Sequence, residues 1–347
     1  MNPLYRNDTP GQLPQSWYAA STDIPPERPP LYGETNADVC IVGAGFTGLS
    51  AARHLAAKGL DVVVLDAHRA GFGASGRNGG QVHSGFNANQ RQLEKKYGLD
   101  TAKALWALSE EAKADLRTTC ADHVPEAMYQ PGVAHGFYTT HEAAGHARDS
   151  DHLAETYGYD QIELFDQDKM QALVKTPHYK GGLLDNGGGH IHPLRYAFGL
   201  ARLAEDAGAR LYDRSEVHNI THGDPAVLHT YDGCIKARHV ILAGNGYLPN
   251  IAPQVTAKVM PINSFICATA PLGDRAADIL ARDIAVADSK FVVNYYRLSD
   301  DKRFLFGGRE SYSIGFPKDI GTALVARMTH LFPQLADTQI DYIWGAP

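Results

Sequence analysis

The chain lacks most of what would staple or anchor it from outside. Its 347 residues hold four cysteines, Cys40, Cys120, Cys234 and Cys267, far apart and with no CxxC pair. That argues against a disulfide framework or a thiolate metal centre, and the four read as reduced, buried thiols. No apolar run reaches the roughly 18 residues of a membrane span. Residues 1–30 are polar and proline-rich, without the apolar stretch of a secretory signal, so the expected location is cytoplasmic. Basic residues are the minority: 32 Lys and Arg against 39 Asp and Glu leave a net charge of −7. That balance disfavours nucleic acid or an anionic membrane as partner. Internal repeats and low-complexity segments are missing as well.

Glycine, by contrast, is plentiful and clustered, with 34 residues, and such clusters mark places where backbone must approach a ligand. With 44% apolar and 20% charged residues the composition is that of an ordinary soluble globular protein. The length suggests two domains at roughly 100–200 residues each.

Residues 1–34, with Pro10, Pro14, Pro25, Pro26, Pro29 and Pro30, read as an extended lead rather than an element. Asp38–Val42 is a short buried strand. A helix follows from Phe46 to Lys58, with apolar Leu49, Ala52, Leu55 and Ala56 at helical spacing and Gly59 as its stop. Asp61–Leu65 is the next buried strand, completing a βαβ unit by residue 66. Residues 71–90 read as glycine-rich and irregular, about 98–121 as a helix, and 130–180 as mixed short elements. His192-Pro193 opens a helix running to Gly208. His239–Ala243 is a buried strand, 258–310 an antiparallel sheet, and 320–332 a last helix. The expected fold class is α/β (α+β overall): a Rossmann-like nucleotide domain interrupted by a mixed-sheet domain.

The strongest motif is Gly43-Ala44-Gly45-Phe46-Thr47-Gly48 between the first strand and its helix. Gly43 permits the tight turn, Gly45 lets backbone approach a pyrophosphate, and Gly48 allows close helix–strand packing. The phosphates would sit at the positive helix N-terminus. Asp66 ends the second strand 18 residues beyond Gly48, placed to accept hydrogen bonds from a ribose and unwelcoming to a 2′-phosphate. A glycine-rich turn without a ligand is the bland alternative. The unit alone does not separate FAD from NAD. Ala74-Ser75-Gly76-Arg77-Asn78-Gly79-Gly80-Gln81 adds small residues, a cation and amide and hydroxyl donors, which suit a long diphosphate and a flavin edge; its bland alternative is a surface loop.

The βαβ unit, the Gly73–Gly80 stretch, Gly189–Pro193, Ile241–Gly246 and Arg303–Gly308 follow one another in an order that resembles a known family. It is that of the FAD-dependent amine and amino-acid oxidoreductases, of the D-amino-acid oxidase, glycine oxidase and sarcosine oxidase type. The lead Ser16-Trp17-Tyr18-Ala19-Ala20 and the Gly76–Gly80 form are most similar to the gamma-glutamylputrescine oxidoreductase group. The resemblance covers about residues 16–347. It implies FAD as cofactor, held by Gly43 to Gly48, Asp66 and Ala67, then Ser75 to Gly80, with Val217 near adenine and Ala243, Gly244 and Asn245 against the diphosphate. It implies a discontinuous FAD-binding domain (35–95, 185–257 and 325–347) and a substrate domain (96–184 and 258–324). The implied reaction is oxidation of a C–N bond in a small amine or amino acid by hydride transfer to flavin. The imine then hydrolyses, and the electrons pass to oxygen or another acceptor. Such chemistry needs no obligatory side-chain base, since the protein orients and desolvates while the cofactor does the hard step.

For the substrate, the resemblance points to Arg297 as a planar two-donor fork for a carboxylate, with Tyr296 beside it and a surface arginine as the alternative. Arg309 and Tyr247 are further candidates. His83 reads as a flavin link, a substrate contact or a solvent-facing loop histidine. His190 and His192 lack a third ligand, so no metal is expected, and Trp106 reads as core. In the family the stretch matching Trp344-Gly345 is followed by several tens more residues that face the flavin. Their lack implies weak or absent flavin retention. Two competing readings are a nicotinamide-dependent dehydrogenase on the same βαβ unit, and a remnant that binds nucleotide without catalysis.

Overall fold

The computed structural model describes residues 3–248, 251–313 and 315–346. Met1, Asn2, Pro249, Asn250, Ile314 and Pro347, which fall within the expected segments, lie outside the described residues. Two sheets carry the chain. The first has six strands, in the order Arg210–Tyr212, Val62–Leu65, Gly33–Val42, Gly233–Leu242, Ala226–His229, Asn219–Thr221. Its first four strands are parallel. Val62–Leu65 is buried at every position, as a central parallel strand covered on both faces must be. The helices Phe46–Ala56 and Pro193–Asp206 lie against one face. Small residues let them come close: Leu49, Ala52 and Ala56 share a core with Leu200, Ala201 and Ala204. The second helix starts as read, at Pro193, with the His192 ring accepting the Arg195 N–H at 3.2 Å.

The second sheet has nine strands. Eight run in the order Ile340–Ala346, Asn263–Thr269, Phe304–Ser311, Tyr295–Leu298, Ala285–Asp288, Gln130–Phe137, Gly181–His190, Gln81–Val82, and Ile162–Phe165 pairs with Gly181–His190. Only Gln130–Phe137 and Ala285–Asp288 run parallel. One face holds a large core of Phe265, Tyr296, Phe304 and Phe306 under the helix Gly321–Leu331 and Phe332. The long helices Leu99–Asp122 and Thr140–Tyr157 flank the Gly181–His190 end.

Five sequence expectations need correcting. His239–Ala243 is half-exposed rather than buried, and the stretch 130–180 holds an 18-residue helix, Thr140–Tyr157, rather than short elements alone. The lead is not without an element: Ser16 caps a one-turn helix, Trp17–Ala20, by accepting the Ala19 N–H at 3.1 Å. Trp17 and Tyr18 are buried there with Leu194, Leu305 and Trp344. Proline content concealed an aromatic plug between the two sheets. Segment 325–347, expected in the cofactor domain, belongs to the second sheet. Ile340–Ala346 pairs antiparallel with Asn263–Thr269, and Leu324, Met328 and Leu331 join that sheet's core. Residues 185–190 and Gln81–Val82, likewise assigned to the cofactor domain, are strands of the same sheet. Strand partners are set across the fold, and no local pattern names them.

Candidate functional site: a dinucleotide cleft and an adjoining sheet face

A cleft of about 230 Å³ opens at the carboxyl ends of the parallel strands, where open α/β sheets place their ligands. Gly43, Gly45, Asp66, Ala67, Ser75, Val217, Ala243, Gly244 and Asn245 all line it. Gly43 has φ +109°, and a Cβ there would stand 2.7 Å from the Ala243 carbonyl oxygen, so the turn at the cleft floor admits no side chain. Gly48 faces inward, where a Cβ would collide with the Gly43 carbonyl at 1.9 Å; it sets helix–strand packing. Gly45 is the helix N-cap and offers no side chain as a cap. One first-turn donor, the Phe46 N–H, goes to Ser75 Oγ at 2.9 Å. That contact fixes the second glycine loop beside the helix N-terminus.

Asp66 is only partly covered and faces the cleft. Its Oδ2 accepts the Ala44 N–H at 2.7 Å and its Oδ1 the His68 N–H at 2.8 Å. Burial pushes its carboxyl up to about 6; the Asp213 charge adds to the rise and the backbone donors oppose it. Tyr247 also lines the cleft, and among the described residues its buried hydroxyl has no hydrogen-bond partner. An orphaned buried hydroxyl marks a place for a ligand's polar atom. Expected as a substrate residue, Tyr247 therefore sits on the dinucleotide side. Sequence reasoning missed His68, Phe72 and Glu216, which also line the cleft. His68 stacks on Phe72 at 3.6 Å. Its place two residues after Asp66 was the available signal.

The rest of the expected cofactor set does not line the cleft. Ala44 and Gly76 are buried and Thr47 is exposed on its helix, while Phe46 packs edge-on against Tyr196 at 5.5 Å. Arg77 does not face the cleft. Its Nε donates to the Phe72 carbonyl and its Nη1 to Asp8 and the Gly345 carbonyl, at 2.7, 2.9 and 3.2 Å. The Asn78 side chain closes its own turn, donating to the Ala74 and Ser75 carbonyls and accepting the Gly80 N–H. Gly79 and Gly80 allow close approach: a Cβ at Gly79 would meet the Tyr295 ring at 2.8 Å, and one at Gly80 the Ile191 carbonyl at 2.2 Å.

Tyr295 opens the second part of the site. With Ser264, Gly308, Arg309 and Phe291 it lines a depression of about 260 Å³ on the nine-stranded sheet. Tyr295 Oη lies 3.1 Å from Ser264 Oγ, and burial pushes its phenol up to about 12. Arg309 borders the depression, donating to the Asp319 carbonyl at 2.9 Å. Tyr296, expected here, points the other way because strand side chains alternate. It is buried in the core, with its hydroxyl 2.9 Å from that of Tyr179. Arg297 does not offer a free fork either. It is 4% exposed and donates to the carbonyls of Gly79, Leu298 and Ile191 and to the Tyr18 hydroxyl, at 3.0–3.2 Å. A guanidinium so occupied holds the loop to the sheet rather than a carboxylate. His190 is buried with Nε2 3.2 Å from Asp283. Among the described residues no three His, Cys, Asp or Glu converge for a metal.

Comparison with known proteins follows the same lines. Residues 38–346 match the family model "DAO: FAD dependent oxidoreductase". Over 331 residues the chain is 38% identical to gamma-glutamylputrescine oxidoreductase of Escherichia coli, covering 95% of this chain and 78% of that one. It is also 38% identical to a probable oxidoreductase OrdL of Rhizobium meliloti, over 95% of this chain and 77% of that one. Among solved structures, L-proline dehydrogenase of P. horikoshii superposes with a TM-score of 0.71 at 17% identity, covering 91% of this chain and 82% of that one. Glycine oxidase of Geobacillus kaustophilus gives 0.68 at 20% identity, over 90% and 82%. Among the described residues no helix is long and apolar enough to cross a membrane.

Proposed function

The chain belongs to the DAO family of FAD-dependent oxidoreductases, and from that membership we propose that it oxidises a C–N bond of an aliphatic amine of the gamma-glutamylated diamine class. The observation that carries the reading is the abutment of the two halves of the site. The loop that meets the dinucleotide cleft at Ser75 runs on to the Tyr295 ring at Gly79, so a cofactor in the cleft and an amine on the sheet face would share one wall. The substrate class is suggested by the likeness to gamma-glutamylputrescine oxidoreductase, 38% over 95% of the chain.

The residues present fit FAD. Asp66 offers a carboxylate to the adenosine ribose, the side-chain-free floor at Gly43 and Gly45 with Ser75 suits phosphate, Val217 borders the adenine end, and the Tyr247 hydroxyl awaits a partner. Bound FAD supplies the redox step by accepting a hydride. The protein's own part is positional: Ser264, Tyr295 and Arg309 would orient the amine. The neutral amine would give a hydride from carbon to the cofactor and a proton from nitrogen to solvent, leaving an imine. Water then converts the imine to a carbonyl compound with release of the amine, and oxygen or another acceptor takes the two electrons.

The test is the visible spectrum of the chain reconstituted with FAD and desalted, followed by amine addition without oxygen. Retained flavin colour, bleached by gamma-glutamylated diamine and not by glycine, is the expected outcome. A flavin that stays oxidised with every amine offered would end the reading.

A further inference from the structure

A second cavity lies in the angle between the Gly181–His190 end of the nine-stranded sheet and the helices Leu99–Asp122 and Thr140–Tyr157. It encloses about 430 Å³, the size of a small-molecule pocket. His83, on its wall, follows Gly80 by three residues. At about 3.3 Å per extended residue, the cavity begins within about 10 Å of the loop that joins the two halves of the site.

Its wall holds a carboxylate with no cation. Asp185 is 8% exposed. Its Oδ1 accepts the Tyr159 hydroxyl at 2.6 Å and the Gly187 N–H at 2.9 Å. Among the described residues Oδ2 takes no hydrogen bond and Asp185 no ion pair. The buried Lys113 makes no direct pair with Asp185: it reaches it only through Tyr159, over whose ring its Nζ lies at 4.9 Å. Its Nζ donates to Ser84 Oγ at 2.5 Å and Tyr159 Oη at 3.3 Å, and it pairs with Glu110 at 2.9 Å. Arg91, also on the wall, is held by Asp149 and the Arg148 carbonyl, both at 3.1 Å. A buried carboxylate without a counter-ion is costly, and a cation entering the cavity relieves that cost.

The remaining walls say which kind of cation. Trp106, expected as core, lines the cavity and meets Tyr159 edge to face, with ring centroids 5.2 Å apart. Aromatic faces attract ammonium groups. The imidazoles of His83 and His135 lie 5.5 Å apart. Burial, with His83 and His146 beside it, holds His135 down to about 4. Near neutral pH it is therefore an uncharged ring, one of whose nitrogens can accept an N–H. No metal cluster forms among the described residues, so an organic cation fits better than an ion.

We propose that this cavity binds an aliphatic ammonium group, with Asp185 as counter-ion and Trp106 as its aromatic wall, and that it holds the non-reacting, ammonium-bearing end of the amine substrate. The second half rests on the amine-oxidation reading above.

The test uses the whole chain with FAD added, titrated with 1,4-diaminobutane and with its neutral analogue butane-1,4-diol, followed by calorimetry and tryptophan fluorescence. The diamine should bind saturably and at least tenfold more tightly than the diol. Asp185→Asn should weaken the diamine tenfold or more while thermal stability and FAD content hold. Trp106→Phe should remove the fluorescence change but leave the heat. With gamma-glutamylated diamine, Asp185→Asn should raise KM about tenfold and leave kcat. Equal binding of diamine and diol to the unaltered chain would overturn the proposal, whether or not the variants fold. Undiminished binding to a folded Asp185→Asn would do the same. Diamine bound through Asp185 with no amine oxidised would keep the ammonium site and sink the oxidation reading. Amine oxidised with a KM indifferent to Asp185→Asn would do the reverse.

Discussion

At Asp66 burial and hydrogen bonding pull against each other, and burial wins, lifting the carboxyl from the ordinary 3.8 to about 6. The folded chain therefore holds this proton more tightly than the unfolded chain. The group's contribution to stability is full below about pH 4 and is lost as pH rises through about 6. Ribose hydroxyls donating to the carboxylate favour the ionised form, so FAD affinity should rise with pH up to about 6 and level off above. Asp66→Asn should bind FAD about tenfold more weakly, since a hydrogen bond to a charged group contributes about 1.5–3 kcal/mol, and with no pH dependence from this site. Flavin fluorescence titrations between pH 5 and 8 check both statements. Arg297 shows the limit of reading one residue at a time. Its charge and its place on a strand are local facts, while the three carbonyls and one hydroxyl that occupy it come from residues 18, 79, 191 and 298.

Among the elements, the strand Ile340–Ala346 does most to hold the two halves of the site together. It extends the second sheet past Asn263–Thr269 and buries Trp344 against Tyr18, with ring centroids 5.1 Å apart. The Trp344 indole N–H donates to the Arg77 carbonyl at 2.9 Å, and the Gly345 carbonyl accepts from Arg77 in return. The strand is thus pinned to the loop that carries Ser75. Trp344→Ala should cost about 3–5 kcal/mol, the usual range for emptying a large aromatic site. It should also speed amide exchange at residues 77–80. Trp344→Phe keeps most of the packing and should lose about 1 kcal/mol with the hydrogen bond. Denaturant melts and hydrogen exchange on the two variants separate packing from tethering. Helices were more legible than strand partners. The 98–121 periodicity matches Leu99–Asp122 closely, because a helix satisfies its own backbone and needs no distant partner.

For the molecule as a whole, the cleft walls come from segments far apart in sequence, near residues 43, 66, 75, 217 and 245. A ligand bridging them is bound only by the folded chain. FAD at about one hundred times its dissociation constant should therefore add about 2.7 kcal/mol to the unfolding free energy, a rise of several degrees in Tm. NAD at the same concentration should add nothing comparable. A thermal shift series with the two nucleotides decides between the flavin reading and the nicotinamide alternative. A larger shift with NAD would overturn the cofactor assignment.

The βαβ unit, the glycine turn at Gly43 and the acid at Asp66 were set by the sequence alone. Each depends on spacing within about one supersecondary unit, where the chain's own geometry leaves few choices. Only the tertiary structure decided that Tyr295 and not Tyr296 faces the site, since a strand's two faces are told apart by what packs on each. It decided that Arg77 is tied to Asp8 and to the Phe72 and Gly345 carbonyls, that Arg297 is held by three carbonyls and the Tyr18 hydroxyl, and that residues 340–346 join the second sheet. It also brought Asp185, Trp106 and His83 around one cavity. No spacing rule links those positions, because a strand, a loop and a helix distant in sequence meet there only in the folded chain.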